Sequence, residues 1–155
     1  AVRLASRPWA SKLQDAAGRI LLTVWLGSLW TIGVVVAPIL FAVLPDSSLA
    51  GLVAGRLFTV EAYISLISAP LLLLLWRRCY PDLPLWPKIV VATMWLLAAA
   101  GEWWLRPLMA AAREGAEGSA ASFAALHGVA SVMYFGVVGG GVALLFARVW
   151  GASRD

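Results

Sequence analysis

Five side chains join a charge or a titratable group to an apolar setting: Arg56, Glu61, Glu102, Arg106 and His127. Within a membrane span an ionised group costs about 3 kcal/mol on insertion scales, so one that is retained there has a partner or a task. Glu102 and Arg106 stand at the four-residue spacing where a carboxylate and a guanidinium meet on one helix. Arg56 and Glu61 are five apart and point about 140° from each other, so Glu61 needs its partner on another helix. Ser65 and Ser68 follow Glu61 at i+4 and i+7, and Ser131 and Tyr134 follow His127 at the same offsets. Two polar seams result, each headed by an ionisable group. With a rise of 1.5 Å per residue, Glu61 lies roughly 7 Å below Arg56 and Glu102 roughly 6 Å below Arg106, which puts the two acids at similar depth. Such a cluster can pass protons, hold a cation or bind a small anionic headgroup. The alternative is a set of interhelical ion pairs that only fixes which helix faces which.

His127 is the sole histidine. A bis-histidine haem is therefore beyond one chain, and a copper site would have to add sulfur from Met94, Met109 or Met133. Met133, six residues along the same helix, stands at an unfavourable angle. Haem or copper is accordingly the weakest reading, with His127 its one candidate ligand, and no cofactor is expected. Cys79 is the single cysteine and has no disulfide partner within the chain. The sequence shows no nucleophile beside its base, no phosphate loop and no HExxH zinc motif. A non-enzymatic protein is expected.

The elements that must position these residues follow from composition. The 155 residues are 62% apolar and 13% charged, against about 25% charged in a typical soluble domain. A soluble domain of this length buries only about 70% of its accessible area and needs polar cover for the rest, which twelve basic and eight acidic residues do not supply. Soluble globules, disordered segments and disulfide scaffolds are excluded. Four apolar runs, at about 20–44, 49–76, 88–108 and 123–148, are long enough to cross a bilayer, with Ser48 as the expected N-cap of the second. None alternates with period two, and lipid offers no partner to an unpaired amide, so the runs must be helices. The fold class is all-α, an integral membrane four-helix bundle.

Arg3, Arg7, Lys12, Arg19, Arg77, Arg78, Lys88, Arg148 and Arg154 gather on one side of such a bundle, which orients both the N and C termini to the cytoplasm. The net charge of +4 then reads as a topology signal and an affinity for anionic headgroups, with no nucleic-acid partner. The organisation is a basic segment over 1–19, an interfacial helix or a solvated tail, then a membrane domain over 20–150 and a tail over 151–155. The first span is too long for the apolar region of a cleavable signal, and no cleavage site follows it.

Two small-xxx-small pairs, Gly51 with Gly55 and Gly136 with Gly140, predict close helix packing inside the bundle, with a homodimer face or a hinge as alternatives. Pro38 and Pro70 fall inside spans and should bend them.

The strings Gly27-Ser28-Leu29-Trp30, Val36-Ala37-Pro38-Ile39-Leu40-Phe41, Ala54-Gly55-Arg56-Leu57-Phe58, Arg106-Pro107-Leu108-Met109 and Phe123-Ala124-Ala125-Leu126-His127-Gly128-Val129-Ala130-Ser131 are distinctive. Together they resemble the transmembrane-protein-205-like family, whose bacterial members carry a domain-of-unknown-function label and which is grouped loosely with copper-resistance-D-like membrane proteins. The resemblance covers most of residues 20 to 148. It implies a four-helix membrane bundle without an established reaction, and it matches the family pattern at Gly55, Arg56, Phe58, Arg106, Pro107, Met109 and His127. Thr59-Val60-Glu61-Ala62-Tyr63 stands where a basic or histidine-containing stretch is expected, a departure that weighs against shared metal chemistry.

The leading functional expectation is an accessory or assembly subunit of a larger complex in a bacterial inner membrane, with lipid, other membrane subunits or a second copy as partners. The alternative is a proton- or cation-coupled ion-handling protein using the polar cluster. Haem or copper binding is the third.

Overall fold

A computed structural model describes residues 8–113 and 122–147, with side chains from residue 12 onward. Among them there is no strand. The helical elements are α1 (Pro8–Trp30), a π-helical stretch (Thr31–Val36), α2 (Ala37–Val43), α3 (Ser47–Cys79), α4 (Leu85–Ala100), a second π-helical stretch (Gly101–Leu105), α5 (Arg106–Arg113) and α6 (Phe123–Phe146). They join into four helices long and apolar enough to cross a membrane, Lys12–Val43, Ser47–Cys79, Leu85–Arg113 and Phe123–Phe146, hereafter spans one to four. The chain is a multi-pass membrane bundle.

The boundaries differ from the sequence expectations where local chemistry extends a helix. Span one does not begin at residue 20. Its helix runs unbroken from Pro8, because proline is tolerated at a first helical position and none follows until Pro38. The basic segment from residue 8 is thus the first turns of that helix; Arg7 and the side chain of Trp9 lie outside the described residues, as do Arg148 and the tail. Ser48 is not the N-cap of span two. Asp46 takes that place, its carboxylate accepting from the Ser48 amide at 2.8 Å, and a full negative charge suits the positive end of the helix dipole. Ser122 caps α6, accepting from the Ala125 amide at 3.3 Å.

Four prolines fall within the spans; Pro87 sits in the first turn of span three, where its missing N–H breaks no helical bond, and the other three are each accommodated differently from an ordinary helical residue. Pro70 stays inside α3, where its missing N–H deprives the Leu66 carbonyl of its helical partner. The Trp95 indole of span three donates to that carbonyl at 3.2 Å. Pro38 and Pro107 instead follow the two π-helical stretches directly, with the Ala37 amide bonded to the Ile32 carbonyl and the Arg106 amide to the Gly101 carbonyl, five residues back. A widened turn ahead of the ring relieves its clash with the carbonyl four residues earlier.

The buried core includes Leu22, Trp25, Leu26, Leu72, Trp76, Met94 and Leu144, while Val24, Ile39, Phe41, Leu74 and Phe135 face outward as a lipid-solvated surface does. Glycines set the closest approaches. A Cβ on Gly140 would stand 2.9 Å from Met94, one on Gly141 would stand 2.6 Å from Leu26, and one on Gly136 would stand 3.3 Å from Leu97. Gly136 and Gly140 therefore seat span four against span three. Gly51 meets only Phe41 and Arg113 at ordinary contact distance, and Gly55 meets nothing. Gly51 thus packs loosely within the bundle, and Gly55 lies open on span two.

The basic end of the bundle is closed by the Tyr80 hydroxyl, which donates to the Asp15 carboxylate and ties the turn after α3 to the start of span one. At the opposite end the Arg113 guanidinium lies 4.7 Å from the centre of the Phe123 ring.

Candidate functional site

Glu61 sits near the midpoint of the 33-residue α3 and is 2% exposed. Its i+4 neighbour Ser65 is 1% exposed, and both face span one, where Trp25 and Ser28 share a helix face at i+3. The Trp25 indole donates to Ser65 Oγ at 2.8 Å, and Ser28 Oγ donates to the Trp25 carbonyl at 2.8 Å. The Ser28 and Ser65 side chains lie beside the Glu61 carboxyl, yet neither carboxyl oxygen has a hydrogen-bond partner of normal geometry.

Counting donors and acceptors shows what this surround fits. Ser28 has spent its proton on the Trp25 carbonyl, so it can offer Glu61 only lone pairs. Ser65 has accepted from Trp25 and keeps its own proton to give. One acceptor and one donor match a neutral carboxylic acid, which carries one O–H and one carbonyl; an ionised carboxylate is acceptor-only and finds a mismatch at Ser28. No cation neutralises the group, since no ion pair or hydrogen bond joins Glu61 to Arg56, Arg106 or His127 among the described residues.

Tyr134, midway along α6, completes the surround. Its ring packs edge-on against that of Phe58, three residues before Glu61 on span two, with centroids 5.0 Å apart. The hydroxyl donates to the Leu29 carbonyl, just ahead of the Thr31–Val36 stretch, and the ring stands against Gly33. Only glycine admits the ring there, because a Cβ at residue 33 would overlap it.

The five residues singled out from the sequence do not form one bonded cluster. Glu102 and Arg106 pair with each other along the helix, with side-chain exposures of 11% and 40%. The Trp95–Leu66 bond sets the antiparallel register of spans two and three and places Glu102 within about 3 Å of Glu61 in height. His127 is exposed, stacked on Phe123 with ring centroids 5.9 Å apart. It lies seven residues from Tyr134, two turns or about 10 Å along α6. Arg56 is exposed on span two. Ser131 donates to the His127 carbonyl at 2.9 Å, which satisfies the upper part of that seam within its own helix. Sequence spacing placed Tyr134 in the His127 seam and gave no sign of its bond to the Leu29 carbonyl of span one; the signals present were Trp25 and Ser28 on one face and a glycine at 33.

Met94, one of the three methionines, stands away from His127. Met94 is buried against Gly140, about 20 Å along α6 from His127, and among the described residues no three of His, Cys, Asp and Glu come together.

A family model described as "Domain of unknown function (DUF4149)" matches residues 20–117. The chain belongs to this family. No curated protein and no solved structure matches it. The DUF4149 match takes in spans one to three, and so includes Ser28, Glu61, Ser65, Glu102 and Arg106; Tyr134 and His127 lie on α6 beyond it.

Proposed function

We propose that this DUF4149 chain handles protons in the membrane, with Glu61 as the group that binds and releases them. The observation that carries this reading is a carboxyl at the middle of a span, 2% exposed, with no hydrogen-bond partner for either oxygen. A group that only cemented the bundle would be paired, as Glu102 is with Arg106. Removing one proton from the Ser28–Glu61–Ser65 surround creates a charge with no partner, and that cost is what couples proton binding to a change of state. The test uses vesicles holding a pH-sensitive dye and an imposed pH gradient. Wild-type protein should dissipate the gradient faster than protein-free vesicles, and Glu61→Gln, which keeps shape and polarity but cannot ionise, should not. Equal rates for the two proteins would overturn the reading.

A second reading, an accessory subunit or self-associating chain of a bacterial inner membrane complex with the transmembrane-protein-205-like proteins as its relatives, is favoured by one feature. Gly55, the exposed member of the Gly51–Gly55 pair, is a small residue on span two that nothing in the bundle approaches. A chain that purifies alone and monodisperse in mild detergent would count against it.

A further inference from the structure

Spans one and four meet closely at Gly141, where a Cβ would stand 2.6 Å from Leu26. Below that contact, toward the basic end, they leave a groove of about 250 Å³ between them. It is lined by Arg19, Leu22 and Thr23 of span one and by Leu144, Leu145 and the cap residue Ala147 of span four. Leu22 and Leu144 are buried behind it, while Arg19 and Thr23 are exposed and share one face of span one at i+4. We propose that this groove binds one anionic phospholipid, with the phosphate on Arg19 and the upper part of an acyl chain along Leu22, Leu144 and Leu145. The proposal stands apart from the proton reading of Glu61.

The lining changes with depth in the order in which a phospholipid changes. Arg19 lies at the mouth, the Thr23 hydroxyl about 6 Å deeper, and beyond them the walls are aliphatic carbon. A guanidinium is a planar fork that meets two phosphate oxygens at once, and its five N–H donors leave some for a lipid beyond the contact that Arg19 makes within the protein. Thr23 adds a hydroxyl that can donate to a phosphate or ester oxygen. An unfilled groove would deprive Leu22 and Leu144 of contacts on one side, and a lipid chain supplies them. A small soluble anion would leave that apolar part empty. Charge favours an anionic lipid over a zwitterionic one. Lys12, seven residues before Arg19 on the same face, carries the positive charge outward, and Arg77, Arg78 and Lys88 belong to the same end. The acids there are Asp15, already bonded to the Tyr80 hydroxyl, and Asp82. Basic residues mark the cytoplasmic side, whose leaflet is the anionic one, and basic pockets between spans on that side hold anionic headgroups.

The test is native mass spectrometry of the full chain in mild detergent, titrated with phosphatidylglycerol and, separately, with phosphatidylcholine of the same chains. A micelle lacks the surface potential of a bilayer, so a site shows as one retained lipid per chain. The wild type should retain one phosphatidylglycerol and release phosphatidylcholine. Arg19→Gln should bind phosphatidylglycerol at least about fivefold more weakly, the worth of one basic side chain at a membrane surface. Ala147→Phe, which fills the groove and leaves every charge in place, should also lose the lipid, and Lys88→Gln, at the same end but outside the groove, should match the wild type. Thr23→Val, nearly isosteric, should weaken retention and serves if Arg19→Gln folds poorly. Equal losses in Arg19→Gln and Lys88→Gln, or an Ala147→Phe protein that binds as the wild type does, overturn the proposal. So does a wild type that carries no lipid and runs as a dimer that Ala147→Phe splits, which would give the groove to a second copy of the chain.

Discussion

The Trp95 indole nitrogen donates to the Leu66 carbonyl at 3.2 Å, and Leu66 is the residue whose carbonyl Pro70 leaves without a helical partner. A helix in lipid cannot leave a carbonyl bare, so a proline in span two is tolerated because span three carries a donor at the same height. Trp95→Phe keeps most of the packing and removes the donor. It should lower stability by about 1–3 kcal/mol, the cost of an unsatisfied buried polar group. The double variant Trp95→Phe with Pro70→Ala should recover most of that loss, since alanine restores the amide that the Leu66 carbonyl needs. Thermal unfolding of the four proteins in one detergent checks this, and additive losses would show that the indole acts only through packing.

Glycine substitutions should separate the two small-residue pairs. A Cβ at Gly140 would meet Met94 at 2.9 Å and one at Gly141 would meet Leu26 at 2.6 Å, so each change to alanine pushes a side chain of a packed neighbour and costs about 1–3 kcal/mol. Gly55→Ala meets nothing and places a better helix former in an exposed turn, a change expected to be neutral or stabilising by up to about 1 kcal/mol. Unfolding temperatures of the three single variants should fall for residues 140 and 141 and hold or rise for residue 55.

The fold was legible because four apolar runs admit one solution in lipid, and the i,i+4 bond of Glu102 to Arg106 was legible because helical spacing alone brings those residues together. What surrounds Glu61 was not. Its neighbours come from spans one and four, and which faces meet depends on the turns added by the Thr31–Val36 stretch and on the close approach allowed at Gly33, Gly140 and Gly141. Neither is a spacing along one helix. Equal depth suggested that Glu61 would meet charged residues, whereas rotation about the helix axes brings it the serines at 28 and 65, the latter bonded to the Trp25 indole.

The hydrogen-bond complement of Glu61 predicts how its variants rank. Glutamine matches the protonated acid in shape and polarity and adds no charge, so Glu61→Gln should unfold within about 0.5 kcal/mol of the wild type at mildly acid pH. Glu61→Leu should be tolerated in stability but should leave Ser65 with an unused proton. Glu61→Lys should fail to assemble or be destabilised by several kcal/mol, because a cation there meets no acid partner. If glutamine and lysine behaved alike, the carboxyl would be facing lipid or water and not the serines.

At the basic end, stability should depend on alkaline pH through Tyr80. Burial, and then its hydrogen bond to the Asp15 carboxylate, raise the Tyr80 phenol above the ordinary tyrosine range. The folded protein therefore holds a proton that the unfolded chain gives up first. The sign follows: this contribution is fully present below the unfolded tyrosine value of about 10 and is lost as pH rises through the higher folded value. Tyr80→Phe removes both the bond to Asp15 and the titration. The wild type should lose unfolding temperature between about pH 10 and 12 more steeply than Tyr80→Phe does, and parallel curves would mean that the phenol is not bound to Asp15 in the folded protein.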